Sequence, residues 1–132
     1  MNWKFCYHKN HNYLEVNVSG PLTSGELNQM AIERWKKLQE FKCKKVLFDF
    51  TQITNMLATV AIYHRPEETE KIGILRGNRT AAVVPDKYWK DFKFMETVYQ
   101  NQGYDLNVFK NKEDAINYLI KESQSTDELL ST

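Results

Sequence analysis

The first candidates for chemistry are two polar side chains at the end of the most apolar run of the chain. The run Val46–Phe50 contains a single polar residue, Asp49, and predicts a strand buried within a parallel sheet. Asp49 and Thr51 would lie at the carboxyl end of this strand, where open α/β sheets bind ligands. Turns favour the same residue types, so the preferred interpretation is that Asp49 accepts amides of the following loop and Thr51 begins a turn.

The helix expected after this loop contains a proline. We predict that it begins near Asn55 and breaks at His64–Arg65, because a proline inside a helix removes a backbone hydrogen bond and costs about 3 kcal/mol. A second helical segment then starts with Pro66 at its first position. The side chains expected to face inward from the first segment are Leu57, Ala61 and His64.

The loop and the broken helix together predict a binding surface. Loops on a rigid scaffold carry recognition readily, and a helix break frees carbonyl groups and can open a pocket. The more ordinary alternative is a kinked helix with a half-buried histidine and no function. The residues predicted to contact a partner or ligand, in addition to Asp49 and Thr51, are Thr54, Asn55, Thr59, Tyr63 and His64.

Other groupings in the sequence give no signature of catalysis or metal binding. His8 and His11 could supply two metal ligands, but no third ligand is apparent, and an exposed turn is preferred. Gly73 and Gly77 lack the Gly-Lys-Ser/Thr ending of a phosphate loop. We therefore predict no catalytic residue, no cofactor and no metal ion. An enzyme with its site at the strand ends ranks last among the functions considered.

Length and composition limit the class of protein. The 132 residues suit one domain, expected over residues 1–122, with a polar and flexible tail over residues 123–132. The net charge of +1 argues against nucleic-acid binding. No apolar stretch approaches the ~20 residues of a membrane span, and no signal peptide is recognised. Cys6 and Cys43 are far apart in the sequence and lack CxxC spacing, which indicates reduced thiols. A cytoplasmic location is therefore expected.

Alternating and helical patterns predict the scaffold. Two alternating runs, Trp3–Tyr7 and Leu14–Val18, flank a polar turn and predict a β-hairpin. Thr23 and Glu26 have the spacing of a capping box at the start of a first helix. The apolar stripe of that helix is predicted to contain Leu27, Ala31, Trp35 and Leu38.

The second half of the chain continues the alternation of strands and helices. Thr80–Val84 and Asp105–Phe109 predict two more strands, separated by a helix that ends before Gly103. Asn111 can cap a last helix that buries Leu119. This order predicts an α/β fold with a mixed, mostly parallel sheet of about five strands and four helices.

The segment Lys45–Val60 resembles the switch segment of STAS domains, the SpoIIAA-like family of anti-sigma-factor antagonists. In that family a strand and an acid precede a loop ending in Asp-Ser-Ser-Gly, whose serine is phosphorylated. The matching positions here are Leu57-Ala58-Thr59-Val60, so alanine occupies the serine position. The arginine-led strand at Arg79 also resembles the family, and the ending from Tyr99 to Leu119 resembles its poorly characterised SpoIIAA-like subgroup.

The resemblance implies a SpoIIAA-like fold, which CRAL-TRIO domains share, and a regulatory role without the phosphorylated serine. Thr59 is the nearest hydroxyl to the lost switch position. The leading interpretation is a non-enzymatic STAS-like module that binds a protein partner or itself through the loop Thr51–Thr59 and the exposed part of the second helix. The alternative is a small apolar-ligand or lipid-binding module of the CRAL-TRIO type, which requires a cavity between that helix and the sheet.

Overall fold

The computed structural model describes residues 1–72 and 77–121, which form alternating strands and helices. The strands are β1 Asn2–His8, β2 Tyr13–Gly20, β3 Lys45–Ile53, β4 Arg79–Val83 and β5 Asp105–Phe109. The helices are α1 Ser24–Phe41, α2 Thr59–Tyr63, α3 Arg65–Lys71, α4 Trp89–Asn101 and α5 Lys112–Ile120, and a 3-10 turn over Asp86–Tyr88 precedes α4. Gly73 and the predicted tail 123–132 lie outside the described residues.

The strands form one sheet in the order β1-β2-β3-β4-β5. The hairpin pair β1 and β2 is antiparallel, and each of the other neighbouring pairs is parallel. Crossover connections between parallel strands have the same hand. Because strands β2 to β5 lie side by side in sequence order, the helices that connect them all lie on one face of the sheet. Helices α1, α2 and α4 accordingly share a core with Val16, Phe48 and Val108. The opposite face packs against α5 through Leu47, Ala81, Val83, Ala115 and Leu119.

The sequence predicted both helix caps that have side-chain hydrogen bonds. The Thr23 hydroxyl oxygen accepts a bond from the Glu26 amide at 3.2 Å and begins α1. The Asn111 amide oxygen accepts a bond from the Asp114 amide at 2.9 Å and begins α5. Local side-chain spacing therefore fixes where these two helices start.

The second predicted helix starts later than expected and is divided. The break at His64–Arg65 is confirmed, and it produces α2 and α3, so there are five α-helices instead of four within the described residues. The predicted start near Asn55 is wrong. The Asn55 side-chain oxygen accepts a bond from the Leu22 amide at 2.6 Å, which holds this segment in a non-helical path.

Two predictions about burial are also wrong, and the burial of one carboxylate was not expected. His64 is exposed, because it lies at the junction of α2 and α3 and its ring turns outward to Glu67. Trp35 is only partly buried on the stripe of α1. Glu15 should face water in an alternating strand, yet it is 6% exposed, because His8 and Lys112 bind its carboxylate over that face of the sheet.

Candidate functional site

Asp49 and Thr51 lie on the α5 face of the sheet, whereas the other predicted site residues lie in the loop and the short helix that follow β3. Strand side chains alternate, so Asp49 and Thr51 share the α5 side with Leu47, whereas Phe48 and Phe50 face the helices α1 to α4. The Asp49 Oδ1 atom accepts bonds from the Thr51 amide at 2.9 Å and from its hydroxyl at 2.6 Å. Thr51 belongs to β3, which extends to Ile53, so the predicted turn at this residue is wrong.

Thr54 and Asn55 anchor the loop that leads to α2. The Thr54 amide donates to the Gly20 carbonyl at 2.9 Å, and the Tyr88 hydroxyl donates to the Thr54 carbonyl at 3.1 Å. The Asn55 side chain accepts from the Leu22 amide. These bonds join the end of β3 to the end of β2 and to the start of α4. The polar atoms of the loop thus hold α2 in place.

The short helix α2 presents apolar and polar side chains to solvent. Val60 is 66% exposed and Tyr63 is 61% exposed, and a spacing of three residues places them on the same side of the helix. Leu57 and Ile62 are buried below them and fasten the segment to the core. We call the exposed side chains of Ala58, Thr59, Val60, Tyr63 and His64 the α2 surface.

The α2 surface carries a histidine with a carboxylate neighbour. The Tyr63 and His64 rings meet edge to face with centroids 5.3 Å apart. The His64 Nδ1 atom lies 3.4 Å from a carboxylate oxygen of Glu67. Hydrogen bonding to His64 and the charge of Lys71 lower the pKa of Glu67 below its usual range. The predicted residues Thr59, Tyr63 and His64 are therefore brought together, with an anionic group beside them.

A polar cluster of His8, Glu15 and Lys112 lies on the α5 side of the hairpin. The Glu15 carboxylate binds His8 Nε2 at 2.8 Å and Lys112 Nζ at 2.9 Å. Burial raises the pKa of Glu15, but the hydrogen bonds from Lys112 and His8 outweigh it and hold this pKa below its usual range. The Glu15 carboxylate is hydrogen-bonded on both oxygens, so the cluster ties β2 to β1 and α5.

Metal and membrane sites find no support in the part of the chain that the structure describes. No group of three or more histidine, cysteine, aspartate or glutamate side chains is arranged there to hold a metal ion. His8 belongs to β1 and binds Glu15, whereas His11 lies in the predicted turn. Across residues 1–72 and 77–121, none of the helices combines the length and hydropathy that a bilayer span requires.

A cavity of about 100 Å³ lies between the sheet and the helices α1, α3 and α4. Most of its wall is apolar and comes from both layers, and the sequence did not reveal it. The apolar lining includes Met30, Val46, Phe48, Phe92, Leu106 and Val108. An engineered apolar cavity of about 150 Å³ in another protein holds benzene, so the space here suits a molecule of only a few heavy atoms.

The polar part of the cavity wall is a hydrogen-bonded network around Arg65. Its guanidinium is 5% exposed and lies 2.7 Å from the Asn28 side-chain oxygen and 2.9 Å from a Glu68 carboxylate oxygen. The Thr69 hydroxyl lies 2.9 Å from the Arg65 carbonyl and 3.0 Å from the Tyr99 hydroxyl. These bonds compensate the charge of Arg65 and join α3 to α1 and α4.

A second arginine in the cavity wall has a different environment. The Arg34 guanidinium carbon lies 5.1 Å from the centre of the Phe48 ring, and among the described residues no carboxylate pairs with it. Burial lowers the pKa of Arg34 to about 10, which leaves it charged at neutral pH. One sequence signal could have revealed it. Ala31, Arg34 and Leu38 follow helical spacing, so Arg34 is a cation on the apolar stripe of α1.

Comparisons with known proteins identify the fold. No family model matches the sequence, and no curated protein matches it either. An anti-sigma factor antagonist from Mycobacterium paratuberculosis has a TM-score of 0.60 at 12% identity, over 91% of this chain and 94% of that chain. An uncharacterized DUF3478-family protein with a SpoIIAA-like fold from Shewanella loihica PV-4 has a TM-score of 0.55 at 19% identity, over 89% of this chain and 92% of that chain. The chain therefore has the SpoIIAA-like fold that its resemblance to STAS domains predicted.

Proposed function

We propose that this chain is a non-enzymatic regulatory module that binds a protein partner through the α2 surface. The observation that carries this proposal is the exposure of Val60 and Tyr63 on one side of a helix whose other side is buried. Tyrosine is enriched among the residues that dominate binding energy at protein interfaces. The Mycobacterium paratuberculosis protein of the same fold is named for antagonising another protein, an anti-sigma factor.

The anchoring of the loop supports this proposal. Thr54 and Asn55 use their backbone and side-chain groups to hold the loop against neighbouring elements, so α2 is presented in one position. A surface that is already ordered loses less conformational entropy when a partner binds. Thr54 and Asn55 then support the partner surface, and Thr59, Tyr63 and His64 contact the partner directly.

Matched surface variants test the proposal. Tyr63→Ala should weaken binding of a partner co-purified from the source organism by about tenfold or more, because a central tyrosine contact contributes about 1–2 kcal/mol or more. Ile32→Ala removes another exposed apolar side chain, 42% exposed on α1, and should leave binding unchanged. Equal binding by both variants would place the interface elsewhere. If the partner is a second copy of the chain, Tyr63→Ala should shift the sedimentation coefficient toward the monomer.

A second candidate function is the binding of a small ligand, and the cavity beside α1, α3 and α4 favours it. Its volume of about 100 Å³ is well below the roughly 300–1,000 Å³ of most drug-sized ligand pockets. A diacyl lipid would not fit this space without movement of the helices, whereas a short-chain molecule would. Isothermal titration with short-chain amides and acids tests this function separately from partner binding.

A further inference from the structure

One cation of the cavity wall, Arg34, has no carboxylate partner among the described residues. The Arg65 guanidinium already has the Glu68 carboxylate at 2.9 Å and the Asn28 oxygen at 2.7 Å. Arg34 lies in the same wall, and within the described residues its guanidinium has an aromatic ring as its neighbour and no carboxylate. Arg34 is partly exposed, and removing part of a charge from water is costly unless the charge is paired and hydrogen-bonded. Asp105 also lines the cavity, but its Oδ1 atom accepts bonds from the Asn107 side-chain amide and the Tyr118 hydroxyl, so Arg34 is the cation that an anionic ligand can pair with.

We propose that the cavity binds a small organic monocarboxylate, with its carboxylate group on Arg34 and its apolar chain against Phe48, Phe92 and Leu106. The planar guanidinium presents parallel N–H groups that match the two oxygens of a carboxylate. The apolar lining removes the hydrocarbon part of the ligand from water. This inference rests on the second candidate function and is independent of the proposed partner surface on α2.

Charge and volume together select this ligand class. A monoanion neutralises Arg34, whereas a dianionic phosphate would leave an excess negative charge among apolar side chains. The volume of about 100 Å³ limits the chain to a few carbons. Because each buried methylene contributes about 0.8 kcal/mol, affinity should rise about fourfold per carbon until the cavity is filled. Longer acids should then bind more weakly, since extra atoms must displace packed side chains.

A pair of ligands of the same shape tests the role of charge. Pentanoate and pentanamide differ by the charge of the head group, and each can be titrated into isotope-labelled protein while amide and arginine side-chain resonances are followed by NMR. Pentanoate should saturate the signals of Arg34 and Phe48 and bind about tenfold or more tightly than pentanamide, since hydrogen bonds between charged groups are stronger. Inorganic phosphate should not shift these signals in a saturable manner.

Two variants of α1 show whether the effect belongs to Arg34. Arg34→Gln should reduce the affinity for pentanoate to that for pentanamide. Lys37→Gln removes the same charge from an exposed position on α1 and should leave both affinities unchanged. The dispersion of the amide spectrum reports whether each variant is folded. If Arg34→Gln does not fold, the comparison of the two ligands on the native protein still decides the result.

The outcomes separate this inference from the function on which it rests. Equal affinity for pentanoate and pentanamide, or unchanged pentanoate binding by folded Arg34→Gln, would overturn the acid preference and leave a neutral-ligand cavity. Saturable binding of phosphate at the same resonances would also overturn the carboxylate class. Absence of binding by both organic ligands would reject the inference together with the second candidate function.

Discussion

The guanidinium of Arg34 lies over the ring of Phe48 with 5.1 Å between its central carbon and the ring centre. A cation over an aromatic face gains about 0.5–2 kcal/mol, depending on its exposure to water. This gain is smaller than the several kcal/mol that removing a charge from water costs. Arg34 is partly exposed and keeps part of its hydration, so the ring compensates only part of the desolvation of this unpaired charge.

Replacing Arg34 by methionine should stabilise the protein without ligand. Methionine keeps the contact with Phe48 and removes a partly buried charge that has no described carboxylate partner, so the free energy of unfolding should rise by about 1 kcal/mol. Urea denaturation of the native and Arg34→Met proteins measures the difference. A loss of stability above about 1 kcal/mol would mean that Arg34 has a structural role that the described contacts do not show.

The bond between Glu15 and Lys112 should make stability depend on pH. The pKa of Glu15 is lowered in the folded protein, so its contribution is present above the unfolded pKa of about 4.3 and is lost as the pH falls through the folded pKa. Glu15→Gln should therefore cost about 1–3 kcal/mol at neutral pH and much less at strongly acidic pH. Urea melts across this range measure the cost, and a cost that is independent of pH would contradict the role of the carboxylate charge.

Leu119 should contribute strongly to the core on the α5 side. Its side chain is 0% exposed, so Leu119→Ala should lower the free energy of unfolding by about 2–5 kcal/mol. Ile32→Ala is the control, since this side chain is 42% exposed and its truncation should change stability by no more than about 0.5 kcal/mol. Denaturant melts that give Leu119→Ala a loss below about 1 kcal/mol would rule out α5 as a core element.

We expect no phosphorylation at Ala58, which the resemblance to STAS domains aligns with their modified serine, because alanine has no hydroxyl. The native protein, incubated with ATP and a kinase that phosphorylates STAS domains, should gain no phosphate by mass spectrometry. Ala58→Ser restores the hydroxyl and should accept one. Thr59 lies one residue further on and is exposed. Phosphate on Thr59 in the native protein would contradict this expectation and would show that the neighbouring hydroxyl is modified instead.

The parts of the fold that local sequence determines were predictable. The capped helices at Thr23 and Asn111 follow from side chains within three residues of each cap. The break after α2 follows from Pro66 alone, because its ring excludes continuous helical hydrogen bonding. The alternation of strands and helices predicted the parallel strand pairs, and the hairpin predicted the antiparallel one.

Two features that the sequence did not predict depend on residues distant in sequence. The start of α2 depends on the bond between Asn55 and Leu22, which are 33 residues apart. The burial of Glu15 depends on Lys112, which is 97 residues away. Neither pairing leaves a periodic pattern in the sequence.

The candidate site was predictable in part. Thr59, Tyr63 and His64 do form one exposed surface, whereas Asp49 and Thr51 lie on the other face because strand side chains alternate. The cavity was not predicted, although Arg34 follows Ala31 by three residues and a cation on the apolar stripe could have indicated it. The volume of the cavity could not be predicted from the sequence, because it depends on how three helices pack over the sheet.

Hydrogen exchange measured with and without a co-purified partner tests the proposed partner surface most directly. Amides over the segment from Thr54 to His64 should exchange more slowly in the complex, because the partner covers α2 and further stabilises its single turn. The same segment of Tyr63→Ala should show little change at equal partner concentration. Protection confined to the hairpin turn between His8 and Asn12, with none over α2, would contradict the assignment.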